Sequence, residues 1–313
     1  MDRKYVFITG ASSGIGKQIV LTLANNPEYY IYAGIRKRKD KLSLESLADN
    51  IKAIYIDVTN SFSVKQAYEL ILKNTEELFS IINSAGIAIA GPLEGLNISD
   101  IKKQFDVNTF GALRVIQNGL PFIKKGNIIN ISSMASYGIF PFISPYCASK
   151  SAIDIMINSL SIELNNPDIN FVSVKLGACK TPIWNKSIEY NNLIMDSLDP
   201  SLALKYKREL EFLKVNALKN NNCSLDPVYV AKKIIKIMEK TNPRSSYNIG
   251  VDSKFMRIAS KLPQDIVNNL VRSKLKYSLK KMVITDFKDN KQLNLEELYE
   301  DSNELDKINI DSN

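Results

Sequence analysis

The stretch Lys4-Tyr-Val-Phe-Ile-Thr-Gly-Ala-Ser-Ser-Gly-Ile-Gly16 decides the fold. A short β-rich run, Lys4 to Thr9, leads into glycines at positions 10, 14 and 16, then into apolar residues at helical spacing: Ile19, Val20, Leu23 and Ala24. Strand, glycine loop and helix in that order are what a dinucleotide phosphate site requires. Gly10 permits the tight turn, Gly14 lets backbone approach a pyrophosphate, and Gly16 lets the helix pack closely on the strand. The helix N-terminus adds N–H groups and a partial positive charge, with Ser12, Ser13 and Ile15 in the same loop as further contacts. A purely structural turn is the competing reading of the three glycines.

Outward from this unit, strands and helices alternate. Tyr29–Gly34, Lys52–Ile56, Phe79–Ile82, Asn127–Ile131 and Asn170–Val174 read as further strands, with Ser246–Val251 as a last one. Val64–Leu72 and a longer stretch, Ile101–Ile116, read as helices. Such alternation implies an α/β fold: a Rossmann-like, doubly wound parallel sheet covered on both faces, with ligands at the carboxyl ends of the strands. The 313 residues allow one large domain, and no internal repeat is visible.

Composition excludes several chemistries. There is no histidine, which removes Ser-His-Asp catalysis, His-ligated zinc and His-ligated haem. No metal site is expected. The three cysteines, Cys147, Cys179 and Cys223, fit reduced thiols in a cytoplasmic protein. No apolar run approaches the ~18 residues that span a bilayer, and the early first strand leaves no room for a signal peptide. The net charge of +8 fits a Lys-rich composition, and no motif supports nucleic-acid binding.

A second stretch, Ser133 to Lys150, carries the chemistry. Tyr146 and Lys150 are four apart and share one helix face, with Pro145 suited to the first turn. A lysine ammonium beside a phenol is expected to pull the tyrosine pKa down from about 10 and make an acid/base device. An exposed aromatic and a solvated lysine is the competing reading of this pair alone.

Together these motifs resemble the short-chain dehydrogenase/reductase family over about residues 1–280. The matches are Thr9-Gly10-x-x-x-Gly14-x-Gly16, Asn83-Ser-Ala85-Gly86 after a strand, Asn108 in Val-Asn-Thr-Phe-Gly, Ser133 thirteen residues before Tyr146, and Gly177 with Thr181. Two positions depart from the family pattern: Ser84 for an Asn, and Leu176 for a Pro, a change expected to loosen the loop near the nicotinamide. The resemblance implies a catalytic set of Asn108, Ser133, Tyr146 and Lys150. Tyr146 would serve as general acid or base, Lys150 would also hold the nicotinamide ribose, Ser133 would bond the carbonyl oxygen, and Asn108 would hold a relay water. A structural amide bonding backbone is the other role for Asn108. Strand alternation turns Ser132 away from the site. The resemblance implies cofactor contacts at Asn83, Ala85, Gly86, Gly177 and Thr181, and at Asp57 and Val58, where a helix N-cap is the alternative.

Strand two ends Gly34-Ile-Arg36-Lys-Arg-Lys39, with no acid to hold the ribose hydroxyls of NAD. Arg36 can clamp a 2′-phosphate instead, so NADP(H) is expected over NAD(H). A solvated charge run is the alternative. After Thr181, the resemblance implies a lid over the substrate, about 182–222, whose apolar and aromatic residues, including Trp184, Tyr190, Leu193, Ile194 and Met195, suggest a lipophilic alcohol or ketone, with core packing of a helix pair as the alternative. The pattern is similar to hydroxysteroid and retinol dehydrogenases. A ketoacyl thioester or long-chain keto-lipid reductase is the second reading, and a catalytically silent nucleotide sensor the third.

Asp226-Pro227 opens a helix, Val228–Met238. The basic, apolar segment Lys254–Met282 suits packing on the lid, subunit pairing in a homodimer or homotetramer, or an anionic membrane surface, with packing favoured over peripheral membrane contact. The catalytic domain is taken as 1–283, and 284–313 as an acidic, weakly ordered tail.

Overall fold

The computed structural model describes residues 3–183, 187, 190, 198–220 and 225–289. Seven strands lie among them: β1 (Lys4–Ile8), β2 (Tyr29–Ile35), β3 (Ile51–Tyr55), β4 (Ser80–Asn83), β5 (Gly126–Ser133), β6 (Ile169–Leu176) and β7 (Ser246–Ile249). They form one sheet, all parallel, in the order β3-β2-β1-β4-β5-β6-β7. The order reverses between β1 and β4, which opens a crevice at the carboxyl ends of those strands.

Both faces of the sheet are buried, so its strands show no inside–outside alternation, and the polar residues they carry, such as Ser80, Asn127 and Asn130, are buried with the apolar ones. On one face, α1 (Gly14–Ala24) packs Ile19, Val20 and Leu23 with Ile8, Ile31 and Val172. A late helix supplies Val230 and Ile234 to the same cluster. On the other face Phe7, Tyr32, Ile81 and Ile128 meet Val64, Ile71, Val115 and Ile153. Between β2 and β5 run α2 (Asp40–Glu45), α3 (Ser61–Leu72), α4 (Ile98–Phe105) and α5 (Ala112–Gly119), and α6 (Ser144–Leu164) lies between β5 and β6.

Where helical spacing predicts one regular helix over 101–116, α4 and α5 are joined by a π turn, Asp106–Gly111. After β6 come α7 (Pro200–Lys205), α8 (Lys207–Asn220) and α9 (Pro227–Met238). Asp226 caps α9 by accepting from Val228 N–H at 2.9 Å, with Pro227 at the first helical position. The basic C-terminal segment forms two helices, α10 (Val251–Ala259) and α11 (Gln264–Asp289). Pro263 separates them, since proline lacks an N–H and keeps its predecessor from helical geometry.

The chain divides into two compact units, Met1–Val267 and Asn268–Asn313. The described part of the second is the helical stretch that ends at Asp289, and the acidic tail beyond it lies outside the described residues. Among the described residues no helix is long and apolar enough to cross a membrane. Cys147 and Cys179 are buried free thiols, and Cys223 lies outside the described residues.

Candidate active site

The glycine loop between β1 and α1 is bound to the loop after β4 by one side chain. Thr9 Oγ1 accepts from the N–H groups of Ser84 and Ala85, both at 3.2 Å, and donates to Asn83 Oδ1 at 3.4 Å. Asn83 in turn donates to Ala112 O at 3.1 Å. Gly10 sits at φ +66°, and a β-carbon there would fall 2.8 Å from the Ala85 backbone. The two loops therefore touch backbone to backbone. Gly16 packs against the Gly10 carbonyl, so it serves the turn more directly than the strand. Ser13 precedes α1 in extended geometry, its hydroxyl makes no capping hydrogen bond to the helix, and the first turn carries no acid. Ser12 and Ile15 are half-buried in the same loop.

Asn108 lies in the π turn, where a widened helical turn re-aims one side chain. Only 1% exposed, it holds the Ile87 backbone from both sides: Oδ1 accepts from Ile87 N–H and Nδ2 donates to Ile87 O, each at 2.9 Å. Its second amide hydrogen goes to Ser149 Oγ at 3.0 Å, and Ser149 donates to Tyr146 O at 2.8 Å. Asn108 is thus a clamp between the β4 loop and α6. Gly86 lies directly beneath, where a β-carbon would come within 3.4 Å of Asn108 Oδ1 and 3.6 Å of Lys150 Nζ.

Tyr146 and Lys150 are both 6% exposed on α6. Lys150 Nζ donates to Ile131 O of β5 at 2.8 Å. Tyr146 is hydrogen-bonded to the Ser133 hydroxyl, and Ser133 Oγ also accepts from Ala135 N–H at 3.1 Å. The titration runs opposite to the expectation of an acidified phenol. Burial dominates both groups: it pushes Tyr146 up to about 12 against the Ser133 bond, and it pulls Lys150 down to about 8 against the field of Asp154. Tyr146 therefore keeps its proton at neutral pH.

Asp154 is a residue that sequence reasoning missed. It is 4% exposed, one turn beyond Lys150 on α6. Ser132 Oγ donates to its Oδ2 at 2.8 Å, so Ser132 does point away from Ser133. Lys175 of β6, opposite Ser132 in register, pairs with the same oxygen at 3.1 Å and lies 3.9 Å above the Tyr137 ring. The signal was available: an acid four residues after Lys150 falls on the Tyr146–Lys150 stripe.

The loop after β6 is pinned, not loosened by Leu176. Leu176 is buried, Gly177 N–H donates to Ile249 O at 2.9 Å, and Ala178 N–H donates to the Asp252 carboxylate at 2.7 Å. A β-carbon at Gly177 would overlap that carboxylate, so the glycine admits the clamp that replaces the missing proline. Thr181 reaches Gly14, with its Cβ 3.6 Å from where a side chain there would start.

Arg36 is exposed and lines a cavity of about 820 Å³ together with Asp57, Thr59 and Lys102. Asp57 Oδ1 accepts from Thr59 N–H at 3.0 Å and from its hydroxyl at 2.7 Å, whereas Asn60 is the N-cap of α3. Val58 is buried against Gly111, with its carbonyl taken by Arg114 at 3.1 Å, and so stands behind the cavity.

Tyr146 belongs to an apolar cluster with Ala88, Ala135 and Cys147, walled by Phe140, Ile143 and Ile183. Leu198 packs on Ile89 and Leu96, and Tyr206 meets Phe142 edge-on at 5.9 Å. Tyr190 donates to Asp100 at 2.6 Å. Trp184, Leu193, Ile194 and Met195 of the expected lid lie outside the described residues.

The arrangement places a protonated phenol, a hydroxyl and a buried ammonium at the carboxyl ends of the central strands, beside two abutting glycine loops. Residues 4–192 match the family model for short chain dehydrogenases. The chain belongs to the short-chain dehydrogenase family. This short-chain dehydrogenase is 33% identical over 267 residues to a 3-amino-tetrahydro-pyrrolizinone reductase of Xenorhabdus hominickii, covering 84% of the chain and 92% of the relative. It is 31% identical over 249 residues to retinol dehydrogenase 8 of Bos taurus, covering 76% and 78%. Its fold matches that of a Burkholderia cenocepacia short chain dehydrogenase in complex with NADP (TM-score 0.67, 19% identity, 86% and 98% coverage). It also matches a Burkholderia phymatum short chain dehydrogenase/reductase in complex with NAD (TM-score 0.69, 18% identity, 86% and 95% coverage). The protein is therefore an oxidoreductase of this family.

Proposed function

We propose that this dehydrogenase uses NADP(H) to interconvert a lipophilic alcohol and its ketone or aldehyde, with Tyr146 handling the proton. The observation that carries the reading is the buried, protonated Tyr146 bonded to Ser133, with Lys150 one turn along α6 beside Gly86. The residues fit a dinucleotide: at Gly14 and Gly86 an added β-carbon would meet nothing closer than 3.4 Å, the first turn of α1 presents N–H groups, and Arg36 lines the cavity beyond β2. When bound, NADPH supplies the hydride to the carbonyl carbon.

The chain supplies the rest. Ser133 hydrogen-bonds the carbonyl oxygen as charge develops there, and Tyr146 delivers its proton to the same oxygen. Lys150, with its pKa near 8, carries positive charge at neutral pH and faces the charge left on the phenolate. Asn108 acts as the clamp that sets the β4 loop against α6. The guanidinium of Arg36 favours a 2′-phosphate over free ribose hydroxyls. The wall of Phe140, Ile143 and Ile183 around Tyr146 favours an apolar substrate over a charged sugar.

The test monitors NADPH oxidation with retinoids, steroids, simple ketones and ketoacyl thioesters. Tyr146→Phe is expected to keep nucleotide binding and lower turnover by about two to four orders of magnitude. A Phe variant with most of its activity would overturn the mechanism. Nucleotide binding with turnover on none of these carbonyls would favour a sensor instead.

A further inference from the structure

Helix α10 is amphipathic in the wrong direction for a helix that only covers a core. Its polar residues face inward: Asp252 accepts from Ala178 N–H at 2.7 Å, and buried Ser253 donates to Lys175 O at 2.8 Å. Its large apolar residues face outward, with Val251 84% exposed, Phe255 67% and Ile258 69%. At 3.6 residues per turn these three fall within roughly 60° of arc, and exposed Leu262 comes just beyond the helix end.

The flank of the stripe is basic. Arg244, Lys254, Arg257 and Lys261 surround a pocket of about 410 Å³ whose apolar wall is Ile258 and whose lining holds no acid. None of the four forms an ion pair among the described residues. An exposed apolar stripe edged by unpaired cations is complementary to the boundary between anionic headgroups and acyl chains. A two-fold contact between copies would set this patch against itself, cation against cation, which disfavours a second copy as the occupant.

We infer that α10 and its basic pocket dock the enzyme on an anionic phospholipid surface, with Val251, Phe255 and Ile258 entering the acyl boundary and the pocket taking a lipid phosphate. The inference rests on α10 and not on the reading of the active site. Inside the same unit, Met256 packs over Gly138 in the turn after Ser133, so the docked face lies behind one wall of the site.

The experiment is vesicle co-sedimentation of the full chain with phosphatidylcholine vesicles, with and without phosphatidylglycerol. Binding is expected only with the anionic lipid and is expected to weaken at high salt. Lys254→Ala with Arg257→Ala should lower partitioning on the order of 20-fold, at about fivefold for each cation. Phe255→Ser with Ile258→Ser should abolish binding. Both double variants alter exposed side chains, and an unchanged melting temperature confirms that they fold. The inference is overturned by absence of binding to phosphatidylglycerol vesicles, or by binding that both folded variants retain. It is also overturned if inorganic phosphate raises the melting temperature while vesicles do not bind, which would mark a site for free anions. Loss of a dimer in the Phe255→Ser, Ile258→Ser variant without any vesicle binding would assign the face to a second copy.

Discussion

Replacing Lys150 with Met should make the protein more stable and nearly inactive. The lysine is buried and donates one hydrogen bond, to Ile131 O. Burial lowers its pKa from 10.5 to about 8, so the folded state holds the charge less readily than the unfolded chain does. That difference corresponds to ~3 kcal/mol opposing folding wherever both states are protonated, below about pH 8. Met fills similar space without a charge, and loss of the Ile131 bond returns ~1 kcal/mol. The net expectation is a gain of ~2 kcal/mol near neutral pH, or ~3 °C in melting temperature for a chain of this length. Between the folded and unfolded pKa values the unfolded lysine binds more protons, so the wild type gains stability as pH rises from about 8 towards 10.5. The advantage of Met should therefore shrink across that window, vanish before its upper end, and turn there into a deficit of ~1 kcal/mol from the lost Ile131 bond. Thermal melts of both proteins from about pH 7 to about pH 10 measure it. A Met variant less stable at neutral pH, or a difference that ignores pH, would refute the reasoning.

Asp154→Asn removes the charge that raises the Lys150 pKa, so the alkaline fall in carbonyl reduction should move to lower pH than in the wild type. A purely structural role would lower the rate without moving that limb. Gly10→Ala should destabilise the protein more than Gly14→Ala. Both sit at positive φ, but only at Gly10 would the new methyl meet backbone, that of Ala85 at 2.8 Å, whereas at Gly14 it meets Thr181 at 3.6 Å. Equal melting temperatures would contradict the abutting loops. Arg36→Asp is expected to raise kcat/KM with NADH relative to NADPH, because a carboxylate repels a 2′-phosphate and accepts from ribose hydroxyls. An unchanged ratio would remove Arg36 from the recognition of the cofactor.

The sheet was legible because short β-rich runs, most of them dominated by Ile, Val, Phe and Tyr, are set at βαβ spacing, and parallel pairing leaves few topologies. The site was legible where spacing maps onto a surface: Tyr146 and Lys150 share a helix face, and Ser133 closes a strand. Three features were hidden. The π turn at Asp106–Gly111 has no pattern of its own, since its apolar residues continue the helical period closely enough to pass for α. The Asp252 clamp joins residues 74 apart in the chain, so the substitution of Leu176 could be judged only against a partner that the local sequence does not show. Titration failed for a different reason. Proximity of unlike groups is visible in a sequence, but burial is not, and burial outweighs proximity at both Tyr146 and Lys150.

The π turn has a consequence for chain length. A helix that accommodates one surplus residue in a single turn is, in effect, a spacer with a fixed count. Deleting one residue between Asp106 and Gly111 would let the segment relax into ordinary α-helix with α4 and α5 kept nearly in phase, because six residues at about 4.4 per turn sweep about the same angle as five at about 3.6. What would be given up is the re-aimed position, so Asn108 would no longer hold both backbone groups of Ile87. The arithmetic of this helix, as much as the identity of Asn108, holds the floor of the crevice in place.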